Sequence, residues 1–499
     1  MHEERCVRAR SFAPLRGRLQ LTAQAKRIAG TVALLVLGCA GAAIGQFAVH
    51  DPGVRGGTVD AGQPLASLSQ TPGATEFFNN GFGRFQEIEV VQGGTNNGLG
   101  PRFNSNQCSS CHAQPNVGGS SPSLNAFPNL GPNPQTQVYN LDGAKNTLPP
   151  FITPEGPVRE VRFKFFLNSN GTVNTSAPDG GVHDLFVITG RPDAGNCQIQ
   201  QPDFATNVAL GNAIFRIPTP VFGAGLIENI PEEEILANMN ANAGVKASLG
   251  ISGHPNHNGN DGTISRFGWK AQNKSLEIFS GEAYNVEMGV TNELFQNERP
   301  SPDEELQGGL PRACKLNPTP EDTTNFIVPS NSDAAAQNAQ VPSDVVQFAM
   351  FMRLLAPPTP STSNPGGATS IANGRVAFIT AGCNLCHTPT FRTAHSSFTP
   401  GLDHADANLF SDLLVHHMGT NLADGVSQGG AGPDEFRSAP LWGVGQRVFF
   451  LHDGRTTDLL DAIQQHASQG SEANGVIHRF NLALSPGQQQ DLLNFLRSL

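Results

Sequence analysis

Two copies of one five-residue pattern constrain this chain more than any other feature: Cys108-Ser109-Ser110-Cys111-His112 and Cys383-Asn384-Leu385-Cys386-His387. C-x-x-C-H is the attachment pattern of c-type haem, in which both thiols bond to the macrocycle and the adjacent imidazole reaches the iron. Two C-x-x-C pairs can also build a zinc site or act as redox dithiols. Neither alternative needs a His directly after each pair, and neither motif sits in the strand-to-helix setting of a redox dithiol. The pattern therefore predicts two covalently bound haem c groups, held by Cys108, Cys111, Cys383 and Cys386, with His112 and His387 as iron ligands.

Haem c is attached outside the cytoplasm, so an export signal should accompany these motifs. Residues 1–39 carry seven Lys/Arg against two Asp/Glu, and Lys26 and Arg27 precede the uncharged run 28–49. That is the shape of an export leader, and residues 1–48 are read as a signal peptide or lipoprotein leader. Val36-Leu37-Gly38-Cys39 resembles a bacterial lipobox, which would make Cys39 a lipid anchor; an ordinary cleaved signal or an uncleaved anchor is the alternative. The expected location is the periplasm or cell envelope. The chain is −11 overall, and the basic leader leaves −16 for the rest. Such a balance argues against a nucleic-acid partner and suits a basic protein partner.

Gly 55 and Pro 37 in 499 residues, with only 15 % charged residues, describe a loop-rich globular chain without coiled-coil or multi-span signatures. Residues 49–74 read as a flexible tether. The stretch 75–342 reads as an N-terminal haem domain, with the alternating runs 158–167 and 182–190 as a small hairpin insertion. Pro231 followed by three Glu marks a helix start, and 300–342 reads as a linker. Ser343 suits an N-cap, and 343–499 is expected as the C-terminal haem domain. It closes with a helix capped by Ser485, with Pro486 at N1 and Leu492, Phe495, Leu496 and Leu499 on one face. The predicted fold is mainly α and loop-rich, with two cytochrome c-like haem domains and a small β insertion in the first. Cys197 and Cys314, an even pair in an oxidising compartment, are expected to form a disulfide; paired thiol catalysis is the minor alternative.

The second axial ligand of each iron decides between electron transfer and ligand chemistry. In TTDLLDAIQQHASQ, capped by Thr457 or Asp458, Leu459, Ile463 and His466 fall on one helical face. His466 is therefore the favoured sixth ligand of the C-terminal haem, with Met418 as its rival. His416 and His417 are adjacent and cannot both face one iron.

The order GLGPRFN…CSSCH, RFGWKAQ, GEAYNVEMGVTNE, GCNLCH, LLVHHMG, PLWGVG and LHDGR resembles the di-haem oxidoreductase family, sometimes labelled thiol oxidoreductase. That family is similar to bacterial di-haem cytochrome c peroxidases, the methylamine-utilisation di-haem enzyme and haem rubber oxygenases. The resemblance covers roughly 75–499. It implies that the ligand fourteen residues beyond His452, namely His466, completes the C-terminal haem. It implies that Trp269 relays electrons between the haems and that Glu287 moves the proton of bound peroxide. It also implies a small electron-donor protein, a cytochrome c or cupredoxin, with peroxide or another small substrate. Relatives commonly carry a Gln ten residues after this Trp, where this chain has Phe279. An apolar side chain there favours O2 or an apolar substrate over peroxide, so oxygenation of an organic substrate and non-catalytic electron transfer are the competing readings.

Overall fold

The computed structural model describes residues 48–56, 60–122, 133–324 and 342–499. The expected leader through Phe47, with Cys39, and the stretch 325–341 of the expected linker lie outside the described residues. Val49–Leu499 packs as one compact unit. The helices that build its core and its sites are α1 (Ala74–Arg84), α2 (Cys108–Cys111), α3 (Glu232–Asn240), α4 (Leu276–Met288), α5 (Asp344–Leu354), α6 (Gly367–Ala381), α7 (Leu459–Gln464), α8 (Asn474–Ala483) and α9 (Pro486–Ser498); further short helices, among them Phe204–Ala209 and Ala243–Leu249, lie between them. The helix-rich, loop-rich character read from the sequence is what the chain adopts.

Local chemistry sets most helix starts. Side-chain oxygens of Ser275, Ser343 and Asp458 accept from Ile278, Val346 and Asp461 amides, capping α4, α5 and α7. α3 begins behind Pro231 with Glu232, Glu233 and Glu234 in its first turn, where the helix dipole favours negative charge. α9 opens with a capping box between Ser485 and Gln488, and buries Leu492, Phe495 and Leu496.

Two helix pairs make the main apolar clusters. In the larger, α1 crosses α5 closely enough that a Cβ at Gly81 would strike the Gln347 carbonyl. Phe78, Phe85, Phe348 and Phe351 then pack around that crossing in tilted and edge-on pairs, and α4 packs on α5 beside it. In the smaller, α6 lies on α9, with Gly374 against the Asp491 carbonyl and Phe378 edge-on to Phe495.

Three expectations need correction. First, 49–74 is not a free tether where it is described. Asp51 pairs with the buried Arg497, Arg55 N donates to Gly445 O, and Leu65 and Leu68 are buried. A buried guanidinium recruits the nearest carboxylate, even one far away in sequence. Second, α5 was expected to open the C-terminal domain, yet it joins the larger cluster with α1 and α4. The boundary at 342/343 therefore does not separate the two clusters. Third, the β insertion is present but wired differently. β1 (Arg102–Phe103) pairs with β5 (Phe186–Val187), β2 (Glu160–Phe163) with β6 (Ala213–Arg216), and β3 (Phe165–Leu167) with β4 (Val173–Pro178). The runs 158–167 and 182–190 form no strand ladder with each other; they meet through an isolated bridge, Arg162 to Val182, and the stack of Phe163 on His183 at 4.0 Å. Two further pairs lie in the C-terminal half: β7 (Phe391–Arg392) with β8 (Asp406–Ala407), and β9 (Val415–His417) with β10 (Glu435–Arg437).

Cys197 and Cys314 form a disulfide, both sulfurs in the core. It ties the described part of the expected linker to the N-terminal half, as does the Arg102–Glu304 ion pair.

Candidate functional site

Each C-x-x-C-H motif opens onto its own cavity. The first brings together Cys108, Cys111, His112, Trp269, Phe279 and Glu287. The second brings together Cys383, Cys386, His387, His466 and Trp269 again. Every haem-site residue expected from the sequence thus lines one cavity or both. Because the two thiol pairs face different cavities, they cannot share one four-thiolate zinc site.

The imidazoles are set up alike. His112 Nδ1 donates to Gly119 O at 3.0 Å, and His387 Nδ1 donates to Phe410 O at 2.9 Å. A carbonyl on Nδ1 fixes the tautomer and leaves Nε2 as the free lone pair, which is the state a metal ligand needs. Burial pushes both His112 and His387 down to about 4, so each ring is neutral at ordinary pH. His466 follows the same pattern, with Nδ1 bonded to Ala462 O at 2.8 Å and burial holding its pKa low. α7 ends at Gln464, earlier than the sequence suggested, yet a final turn from Ile463 O to His466 N still delivers the ring. Met418 lines this cavity too.

The thiols are free and partly buried. Burial pushes Cys111 up to about 11 and Cys383 up to about 12, and raises Cys108 further. Redox dithiols work through lowered thiol pKa values, so these pairs are poor candidates for that role.

Trp269 is the wall between the cavities. Its Nε1 donates to Ile217 O at 2.8 Å, and its backbone O accepts from Arg437 N. Its ring meets His452 edge-on at 6.3 Å, and His452 stacks on Phe436 at 4.3 Å. Phe279 stacks on Phe267 at 6.0 Å in the first cavity. Glu287, on the last turn of α4, receives Asn104 Nδ2 on Oε2 at 2.9 Å. Burial, reinforced by Glu160, raises its carboxyl to about 8.

Beside the second cavity sits a buried charged cluster. His416 bonds Glu472 Oε2 at 2.8 Å through Nδ1 and Asp412 Oδ2 at 3.1 Å through Nε2, while His417 turns outward to Asp434. Burial opposes charge on His416, but its neighbours Cys386 and Asp412 hold it protonated well above the usual imidazole range. Burial would raise Glu472, but the His416 bond and charge and the Ser252 amide outweigh it and bring it to about 2. Since its folded pKa lies below the unfolded value near 4.5, Glu472 stabilises the fold above that pH. The contribution, about 3 kcal/mol, is lost as pH falls from ~4.5 towards 2. Denaturant unfolding across this window should therefore show a shallower acid slope in Glu472→Gln than in wild type. Equal slopes would contradict the assignment.

Sequence reasoning missed three things here. His452 was visible in LHDGR but its stacking was not. Asn104, the hydrogen-bond partner of Glu287, lies 183 residues away from it. Arg447 gave one signal, a cation inside the apolar run Val444–Phe450, but nothing local tells which way it points.

Paired thiols, Nδ1-tethered imidazoles and a shared indole wall are the side chains that a haem-binding redox protein needs. The chain belongs to the di-haem oxidoreductase family: residues 183–499 match the family described as "di-haem oxidoreductase, putative peroxidase". No curated protein sequence matches the chain. Fourteen chains of solved structures match; one is a chain of hydrazine synthase from Kuenenia stuttgartiensis pressurised with xenon, at 14 % identity. That alignment covers 57 % of this chain and 72 % of the other, with a TM-score of 0.27, too low to carry an argument.

The residues present fit haem. The N-terminal cavity is also lined by Arg159 and Arg216, each with a buried Nε that has no partner, and a group bearing carboxylates would suit such a wall.

Proposed function

We propose that this is an exported di-haem c-type oxidoreductase of peroxidase type. One haem is bound at Cys108, Cys111 and His112, the other at Cys383, Cys386 and His387, in two cytochrome c-like modules. The observation that carries the reading is the pairing of two cavities, each with a thiol pair and an Nε2-free imidazole, across one tryptophan. When bound, haem supplies a redox iron at the C-terminal site for electrons from a small cytochrome c or cupredoxin, and one at the N-terminal site for peroxide.

The protein's own groups do the rest. His112, His387 and His466 present fixed lone pairs, with His466 favoured over Met418 because its Nδ1 is already satisfied. Trp269 relays electrons between the cavities, being among the described residues the one aromatic side chain that lines both. Glu287 keeps a proton near neutral pH and gives it to the departing oxygen of peroxide, while Asn104 holds its Oε2. The −16 balance outside the leader favours a basic donor protein, and Cys39, if lipidated, would anchor the protein to a membrane.

Phe279 supports a second reading. Its ring, backed by Phe267, adds an apolar face to the N-terminal cavity, which suits O2 and an apolar organic substrate. A stable O2 complex, with product formed in the absence of electron donor, would mark that oxygenase.

Intact mass and haem stoichiometry test the proposal in protein matured by a cytochrome c-competent host. Two covalent haems are expected. One is lost in Cys108→Ser/Cys111→Ser and the other in Cys383→Ser/Cys386→Ser. Zinc, or no covalent haem, would overturn it.

A further inference from the structure

Arg447 is buried, 7 % exposed, in the wall of the cavity that holds Cys383, Cys386 and His387. Among the described residues it is the one arginine with two buried guanidinium nitrogens, Nε and Nη2, that have no partner. The other buried cations nearby have partners: Arg497 pairs with Asp51, Arg216 and Lys270 pair with Asp424, and Arg437, in the same cavity wall, donates Nε to Gly268 O and Nη1 to Ser438 O. No carboxylate of the described residues forms an ion pair with Arg447, and burial alone pushes its pKa down to about 10. The walls around it are apolar, with Phe450, Leu492 and Leu496 among them.

Nε and Nη2 form one edge of the guanidinium, the edge that grips a carboxylate through two parallel bonds. Elsewhere this chain uses that edge in that way. Arg102 holds Glu304 through Nε at 3.2 Å and Nη2 at 2.6 Å, and Arg191 holds Asp193 at 2.8 and 2.7 Å. At Arg447, a residue of the cavity wall, the same edge has no carboxylate. A buried, uncompensated charge of this kind is costly unless a ligand completes it.

We infer that Arg447 is the carboxylate anchor of the C-terminal cavity, gripping a haem propionate side-on and, as a fixed cation, holding that site's reduction potential up. The inference rests on the haem reading above. A positive charge stabilises the site that has gained an electron, so removing it makes reduction harder. Arg447 is here a positioning and tuning residue, acting on the bound group and not on substrate.

The test is a spectroelectrochemical titration of the two-haem protein in wild type, Arg447→Leu, Arg447→Gln and Arg447→Lys, with covalent haem content measured for each. The haem retained by Cys108→Ser/Cys111→Ser identifies the C-terminal spectrum. In the Leu and Gln variants the reduced-to-oxidised ratio of that haem at fixed potential should fall at least tenfold, about 59 mV for one electron. The N-terminal haem should move far less, and Lys should restore most of the wild-type ratio. If Leu fails to load haem, Gln and Lys decide. A loaded neutral variant whose C-terminal ratio stays within twofold overturns the inference. So does a wild-type potential that follows chloride or acetate concentration, which would assign the edge to a free anion. Wild-type protein without haem at Cys383 and Cys386 overturns the haem reading itself, so the two failures are distinguishable.

Discussion

Glu287→Gln lowers kcat/KM for peroxide at least ~100-fold, with both haems still attached. The expectation follows from where the carboxyl sits and what surrounds it. Its backbone O accepts from the Asn104 and Ser105 amides, so the turn of α4 that carries it cannot drift. Asn104 Nδ2 holds Oε2, and burial with Glu160 nearby raises the pKa to about 8. A carboxyl in that state carries a proton at neutral pH and can hand it to an oxygen leaving with negative charge. Glutamine keeps the shape and the Asn104 contact but has no acidic proton. The sign with pH follows from the same value: activity that needs the protonated acid falls as pH rises through about 8, and this limb should vanish in the variant. Steady-state kinetics across pH 5–9 check both points. A loss of less than threefold, or an unchanged alkaline limb, would mean that Glu287 only shapes the cavity.

Replacing Cys197 and Cys314 by Ala costs about 4–5 kcal/mol of stability, since the bridge closes a loop of roughly a hundred residues or more in the unfolded chain. The sequence separation is 117 and both sulfurs are buried. Sulfurs placed so deeply and already bonded to each other are ill-suited to turn over exposed thiols, so haem content and peroxide turnover at low temperature should be unchanged. Denaturation of the oxidised protein against the double variant measures the effect. A difference under 1 kcal/mol would show that other contacts, among them Arg102–Glu304, already hold the 300–324 segment in place.

What could be read ahead of the structure follows a physical division. Caps at Ser343 and Ser485, the Pro231 helix start and the C-terminal apolar face are decided within four residues, and each appears as expected. The two thiol cavities were legible because one short motif carries thiols and imidazole together. His466 was legible by spacing, even though α7 stops two residues before it. Features that depend on distant partners were not. Nothing near Asp51 announces Arg497, nothing near Val345 or Phe348 says that α5 belongs with α1, and the strand at Phe186 finds its partner at Phe103. Arg447 belongs to this second group: a cation amid apolar residues was visible, but only the fold shows that it lines a cavity with its carboxylate-binding edge unpartnered.

The central claim is that the two sites divide the work, one taking electrons and one taking peroxide. The most direct measurement poises the protein at one electron per molecule and records EPR and visible spectra before and after peroxide is added. The account predicts a ferrous C-terminal haem beside a high-spin ferric N-terminal haem, with peroxide reacting at once and oxidising the C-terminal haem. Two low-spin haems that ignore peroxide would contradict it and leave a carrier of electrons in its place.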